Sequence, residues 1–201
     1  MRVFLVIFFL TGCGAAVVSL FWQQELKYAL PTPVPVRYQP VATGTPLQLH
    51  SINNRLPNGA AFLHFYNPDC PCSRFNANHL KKLIRSYQDS IPVVIVVPNQ
   101  RAARKALNEF GTDQQYVVDH GDRIAQACGV YATPQAALVD ATGALFYRGN
   151  YNRSRYCTAK ATNFAELALV AMLNHQAAPV FIEEATISYG CAWNENLLTL
   201  E

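Results

Sequence analysis

A run of six residues, Pro92 to Val97, limits the folds open to this chain more than any other feature. The five residues after the proline are all valine or isoleucine. β-Branched side chains favour strands, and a strand without polar alternation has to be covered on both faces. Helices packed on either side of parallel strands provide that cover. The run therefore predicts a buried parallel strand in an α/β domain.

The flanking sequence alternates in the way that such a domain requires. The apolar run Ala60 to Tyr66 precedes a stretch of helical periodicity, and a helix expected over Arg101 to Phe110 ends at Gly111. Further along we expect a strand over Gln115 to Asp119, a short helix over Asp122 to Cys128, a hairpin of Gln135 to Val139 with Ala144 to Tyr147, and a helix capped by Asn163. The order predicts a central mixed sheet flanked by helices.

The chain begins with a segment that is apolar enough to enter a membrane. No charged residue occurs from Val3 to Trp22, and a helix of this length spans a hydrocarbon core of roughly 30 Å. Residues 1–24 are therefore a membrane anchor or a signal segment. Because the chain stays apolar from Gly14 to Trp22, no cleavage site ends the run, and an uncleaved transmembrane anchor is favoured over a removed signal peptide. The alternative is a lipoprotein, since Leu10-Thr11-Gly12-Cys13 resembles a bacterial lipobox in which Cys13 is lipidated.

Residues 25–48 follow as a linker, and residues 49–201 as the folded domain. Five prolines between Leu30 and Pro46 favour an extended polyproline-type spacer. Five cysteines behind an export-type start fit an oxidising compartment, so we expect the domain outside the cytoplasm, in a bacterial periplasm. The net charge of +3 is small and dispersed, and we expect no nucleic-acid partner.

The feature most informative about chemistry is Cys70-Pro71-Cys72, which lies between a predicted strand and a predicted helix. Proline is favoured at the first helical position, so Cys70 becomes the cap residue. Its sulfur then lies beside unpaired amide groups at the positive end of the helix dipole, which stabilises a thiolate. Arg74 acts in the same direction and Asp69 against it. Because a thiolate is the attacking species in disulfide exchange, Cys70 is a candidate nucleophile.

A bond between Cys70 and Cys72 would close a very small ring. The preferred disulfide dihedral is hard to reach in such a ring, so the bond would be labile and exchangeable. Two alternatives stay open from the residues alone. The cysteines are unpaired thiols in a turn, or they bind copper or zinc together with His64, which lies on the preceding strand.

Two short motifs resemble the thioredoxin-like superfamily. Phe65-Tyr66-Asn67-Pro68-Asp69-Cys70 is similar to the family's strand end and first active-site cysteine, and Ala132-Thr133-Pro134 to its cis-proline motif. Asp69-Cys70-Pro71, Tyr147-Arg148-Gly149 and the late segment with Thr186, Gly190 and Cys191 resemble the redoxin, or alkyl-hydroperoxide-reductase-like, branch. The resemblance covers about Ala60 to Trp193. It departs from the usual pattern because one residue, not two, separates the cysteines.

The resemblance implies a thioredoxin-like fold and a membrane-tethered thiol–disulfide oxidoreductase. Cys70 would be the nucleophile and Cys72 the resolving thiol, while the loop at Thr133 and Pro134, with a cis peptide, would pair with an extended substrate segment. Such a protein exchanges disulfides with protein or small thiols, needs a redox partner, and needs no metal or organic cofactor. Peroxidase activity is not expected, because Asn67 and Leu63 stand where peroxiredoxins have threonine and proline.

The remaining cysteines suggest structural roles. Cys157 and Cys191 flank the last predicted helix, and a disulfide between them would attach the C-terminal tail to the domain. Cys128 lies among apolar neighbours and is expected to be a buried small hydrophobe. The histidines have no mutual ligand spacing. The rival functions are a metal carrier that uses Cys70 and Cys72, and a non-catalytic domain that recruits partners.

Overall fold

The computed structural model describes residues 2–23, 30–153, 157 and 159–193. The helices are α1 (Arg2–Phe21), α2 (Leu49–Ile52), α3 (Pro71–Tyr87), α4 (Gln100–Phe110), α5 (Arg123–Cys128) and α6 (Phe164–Leu173). The strands are β1 (Ala61–Phe65), β2 (Val93–Val97), β3 (Gln115–Val118), β4 (Ala132–Thr133), β5 (Gln135–Val139), β6 (Leu145–Gly149) and β7 (Cys191–Ala192).

Five of the strands form one mixed sheet in the order β3-β2-β1-β5-β6. β1, β2 and β3 are parallel, whereas β5 is antiparallel to both β1 and β6. Every residue of β2 is buried, as its uninterrupted apolar sequence predicts. The β1-α3-β2 crossover and the later β5-β6 hairpin followed by α6 give a thioredoxin-like arrangement, so the expected fold class is confirmed.

The two faces of the sheet carry separate parts of the core. Leu63 and Phe65 of β1 point to one face, where α5 and the short helix α2 pack. Phe62, between them in sequence, points to the other face, where α3 and α6 pack. Alternation of side chains along a strand produces this division, and it leaves the end of β1 held rigidly between both layers.

The N-terminal helix α1 is separate from this core. Its 20 residues are mostly apolar, Arg2 is its one charged residue, and none of its side chains is buried. Length and composition allow the helix to cross a membrane, although a signal sequence has the same properties. Cys13 is exposed on it.

The proline-rich stretch lies along the domain from residue 30 onward, whereas the sequence predicted an extended spacer. Gly44 donates its backbone N–H to Leu145 at 2.7 Å, and Tyr38 donates its hydroxyl to the Gly129 carbonyl at 2.9 Å. Val41 packs on the core beside α5. Proline prevents regular pairing here, but the neighbouring residues still find backbone partners on the domain. Of the predicted linker, residues 25–29 lie outside the described residues.

Candidate thiol–disulfide site

Cys70 is the cap residue of α3, as the position of Pro71 predicted. β1 ends at Phe65, and the turn that follows is closed by a 3.0 Å hydrogen bond from the Cys70 N–H to the Asn67 carbonyl. Cys70 keeps an extended backbone, and Pro71 occupies the first helical turn, where a missing N–H costs nothing. The Cys70 sulfur therefore lies at the N-terminus of a 17-residue helix.

Cys70 forms a disulfide with Cys191, the first residue of β7. Their Cα atoms are 5.9 Å apart, although 121 positions separate them in sequence. Cys70 is only 1% exposed, whereas Cys191 is partly exposed. The Cys70 Sγ also lies 3.6 Å from the Thr133 carbonyl oxygen. The bond thus joins the helix N-terminus to the tail of the domain.

The loop before β5 faces this disulfide, and its Thr133–Pro134 peptide is cis, as the resemblance implied. The buried Thr133 hydroxyl donates to the Phe65 carbonyl at 3.0 Å, so it accepts from the other two groups around it. These are the Asn67 N–H at 3.2 Å and the Ser73 hydroxyl at 2.7 Å. One side chain therefore ties together the end of β1, the turn and the first turn of α3.

The backbone edge beside the cis-proline is already occupied by the chain's own tail. β7 pairs antiparallel with β4, with Cys191 opposite Thr133 and Ala192 opposite Ala132. The Trp193 N–H continues the ladder to the Tyr131 carbonyl at 2.9 Å. The family resemblance implied that a substrate segment pairs with this edge. The substrate-binding role of Thr133 and Pro134 stays a prediction.

Gly190 is required where the tail passes this loop. Its φ of +141° is in a region that side chains rarely adopt. A Cβ atom at this position would lie 2.3 Å from the Thr133 carbonyl oxygen, which is part of the backbone and cannot move aside. The absence of a side chain therefore lets the tail approach closely enough for Cys191 to reach Cys70.

Cys72, the predicted resolving thiol, is a free cysteine two residues beyond Cys70. Its side chain faces the protein interior and is 4% exposed. Burial raises the pKa of the Cys72 thiol to about 11, so it is protonated at neutral pH. The disulfide expected between Cys70 and Cys72 is not the bond present, and the catalytic role of Cys72 stays a prediction.

The predicted disulfide between Cys157 and Cys191 is wrong. The pairing of β7 with β4 carries Cys191 to the helix N-terminus, where Cys70 takes its sulfur. Cys157 is instead a free thiol that donates to Asn76 Oδ1 at 3.1 Å, and burial raises its pKa to about 12. Cys128 is completely buried, as expected.

The charge of Asp69, which precedes Cys70, is offset by two cations of α4 that sequence reasoning did not identify. Lys105 and Arg101 both form ion pairs with its carboxylate. The hydrogen bond from Lys105 is the main cause that lowers the pKa of Asp69. These groups are exposed, so each pair adds little stability. They nevertheless reduce the negative potential that Asp69 places beside the Cys70 sulfur.

His64, on β1, is completely buried among aromatic rings. Its Nδ1 is 2.6 Å from the hydroxyl of Tyr151, and complete burial lowers its pKa to about 3. Within the described part of the chain, no group of three or more histidine, cysteine or acidic side chains could hold a metal ion.

Comparison with solved structures finds the same fold in two uncharacterised proteins. A hypothetical protein from Sinorhizobium meliloti 1021 has a TM-score of 0.60 at 20% identity, covering 78% of this chain and 96% of that chain. A conserved protein from Geobacillus kaustophilus has a TM-score of 0.58 at 21% identity, covering 80% and 91%.

Similar structures also include thiol–disulfide oxidoreductases. One is a secreted Mycobacterium tuberculosis disulfide oxidoreductase homologous to E. coli DsbE, with a TM-score of 0.43 at 16% identity, covering 67% of this chain and 95% of that chain. No curated protein is significantly similar to this sequence. A family model described as a domain of unknown function, DUF6436, matches residues 42–193 and so includes both cysteines of the disulfide. The chain therefore belongs to the DUF6436 family.

Proposed function

We propose that this protein is a thiol–disulfide oxidoreductase in which Cys70 is the exchanging cysteine. The observation that carries the proposal is the disulfide of Cys70 at the N-terminus of α3, beside the cis-proline loop. In the oxidised form, this disulfide accepts two electrons from a pair of external thiols. In the reduced form, the Cys70 thiolate attacks either an external disulfide or a mixed disulfide already formed on its partner cysteine, and the two cysteines together complete the exchange.

The surroundings of Cys70 favour its thiolate over that of its neighbours. Cys70 caps the N-terminus of a long helix, where the dipole favours negative charge, and Asp69, the nearest acidic residue in sequence, is paired with two cations. Cys72 has the opposite environment, because burial keeps it protonated. Cys70 is accordingly the nucleophile, and Cys72 or Cys191 is its internal partner.

A membrane tether and an extracytoplasmic location complete the proposal. The apolar helix α1 would anchor the protein in the bacterial inner membrane with the domain in the periplasm, or Cys13 would carry a lipid. A disulfide in the domain favours an oxidising compartment over a reducing cytosol. The partners would be protein or small-molecule thiols and a redox partner that resets the site.

The test is a redox titration of the full-length protein in detergent. Samples are equilibrated in glutathione buffers of defined potential, trapped by alkylation and mapped by peptide mass spectrometry. We expect Cys70 and one partner, Cys72 or Cys191, to convert together as a two-electron pair at a potential that glutathione can reach. Cysteines that titrate independently, or a bond that no buffer reduces in the folded protein, would contradict the proposal.

Two serine variants test whether the redox transition belongs to Cys70 or to a thiol outside the disulfide. Cys70→Ser should abolish the two-electron transition, because the exchanging sulfur is gone. Cys157→Ser is the matched control, since Cys157 is a free cysteine whose thiol hydrogen-bonds to Asn76 and not to the disulfide. It should titrate like the unaltered protein.

A further inference from the structure

We infer that Cys191 is the sulfur that meets the external thiol, and that the tail segment 188–193 holds it where a substrate strand would otherwise pair. This inference rests on the proposed function and specifies its substrate as a low-molecular-weight thiol. Three features of the structure lead to it: the anchoring of the tail, the hydrogen-bond partners along both of its edges, and the unequal exposure of the two cysteine residues.

The tail is anchored on both sides of Cys191. Before it, the Ser188 hydroxyl accepts a hydrogen bond from Gln135 Nε2 at 2.7 Å. After it, Trp193 is 4% exposed and packs edge-on against Phe65 with ring centroids 5.3 Å apart. Its indole N–H also donates to buried Asp119 at 3.3 Å. None of these contacts involves the disulfide, so Cys191 stays close to Cys70 when the bond is broken.

The tail segment 188–193 has hydrogen-bond partners on both of its edges. On one edge, β7 pairs with β4 and the Trp193 N–H bonds to the Tyr131 carbonyl. On the opposite edge, the Ser188 carbonyl accepts from the Thr32 N–H at 2.8 Å and the Gly190 carbonyl from the Thr32 hydroxyl at 3.3 Å. The edge of β4 is therefore closed to strand addition by an extended polypeptide, and the opposite edge of the tail is open only in part. A small thiol needs no such pairing.

The two cysteine residues of the bond are unequally exposed. Cys70 is 1% exposed, whereas Cys191 is partly exposed. Attack on Cys191 also makes Cys70 the leaving group, and a thiolate leaves faster when its surroundings stabilise the negative charge, as a position at a helix N-terminus does. Access and leaving-group stability thus select the same direction of attack.

The exchange balances without any other reactant. A small thiolate attacks Cys191 Sγ, a new disulfide forms between them, and the bond to Cys70 breaks to leave the Cys70 thiolate. A second small thiolate then attacks the sulfur of the small molecule in that mixed disulfide, which releases a small-molecule disulfide and the Cys191 thiolate. Two thiols are oxidised and the protein disulfide is reduced by two electrons.

The decisive experiment identifies the sulfur that carries the first adduct. The oxidised full-length protein in detergent is mixed with glutathione, quenched with acid at short times, and mapped by mass spectrometry. We expect the adduct on Cys191 to exceed that on Cys70 by on the order of tenfold. The Cys72→Ser variant should give the same ratio, which excludes transfer through Cys72.

An adduct mainly on Cys70 would overturn the inference and leave the oxidoreductase proposal standing. Absence of any adduct, with the disulfide intact at long times, would overturn both.

A second measurement tests the role of the tail in excluding polypeptides. Gly190→Ala places a Cβ against the Thr133 carbonyl and should displace β7 from β4. Gly121→Ala is the matched control, because Gly121 also has a positive φ but its Cβ would meet nothing within 4 Å. The rate of reaction with an extended cysteine peptide, relative to glutathione, should rise several-fold in Gly190→Ala only. An unchanged ratio in Gly190→Ala, or an equal rise in both variants, would overturn the inference.

Discussion

Loss of the disulfide between Cys70 and Cys191 should lower the stability of the domain substantially. The bond joins residues 121 positions apart, so it restricts a very large loop in the unfolded chain. The chain-entropy relation gives about 5 kcal/mol for a loop of this size at 25 °C. For a domain of this length, a loss of that size lowers the melting temperature by roughly 10 to 20 °C.

The structure explains why this loss should appear as altered stability and not as altered fold. Trp193 stays buried against Phe65, and β7 stays paired with β4, because neither contact uses the sulfur atoms. The native state therefore changes little on reduction. Most of the effect comes from the greater conformational freedom of the unfolded chain.

The assay is thermal unfolding of the full-length protein in detergent, followed by near-ultraviolet circular dichroism with and without reductant. The unaltered protein should lose roughly 10 to 20 °C on reduction. The Cys191→Ser variant should melt at the lower temperature under both conditions. Cys72→Ser should behave like the unaltered protein, because Cys72 is outside the bond.

Two results would refute this reasoning. If Cys72→Ser removes the effect of reductant, the stabilising bond in solution is the one between Cys70 and Cys72. If alkylation confirms complete reduction and the melting temperature does not change, the bond does not restrict the unfolded chain as the calculation assumes.

Three further predictions concern buried groups. Alkylation of Cys72 in the folded protein should accelerate about tenfold per pH unit from pH 7 toward its pKa of about 11, because only the thiolate reacts; a plateau near pH 9 would contradict this. Since the pKa of His64 falls from 6.5 unfolded to about 3 folded, the free energy of unfolding should decrease as pH falls from 6.5 toward 3, by up to about 1.4 kcal/mol per unit, and His64→Gln should lack this component in acid titrations. Trp193→Phe should cost about 1 to 2 kcal/mol in urea unfolding because buried Asp119 loses a donor, whereas Trp22→Phe, at an exposed residue just after α1, should cost nothing measurable.

The main elements of the fold follow from local sequence patterns. The apolar run ending at Val97 forms a fully buried parallel strand, and the turn-forming residues from Asp140 to Gly143 join an antiparallel hairpin. Pro71 makes Cys70 the cap of α3. Each of these depends on residues that are neighbours in sequence, where steric restriction and side-chain periodicity act directly.

The partner of Cys70 could not be predicted in the same way. Cys72 is nearest in sequence, but its position in the first turn of the helix directs it into the core. Cys191 reaches Cys70 because β7 pairs with β4 and because Gly190 allows close approach to Thr133. The resemblance noted at Thr186, Gly190 and Cys191 was the available signal, although it carried no information about pairing.

Patterns among neighbouring residues were enough to predict the fold class, the cap position of Cys70 and a helix long enough to cross a membrane. The three-dimensional structure was needed to show which cysteine bonds to Cys70, which thiols are buried, and what occupies the edge beside the cis-proline. Strand and helix patterns are local, so they can be recognised in the sequence. The disulfide instead depends on backbone pairing between β4 and β7, which lie far apart along the chain. No local pattern of residues predicts that these two segments pair.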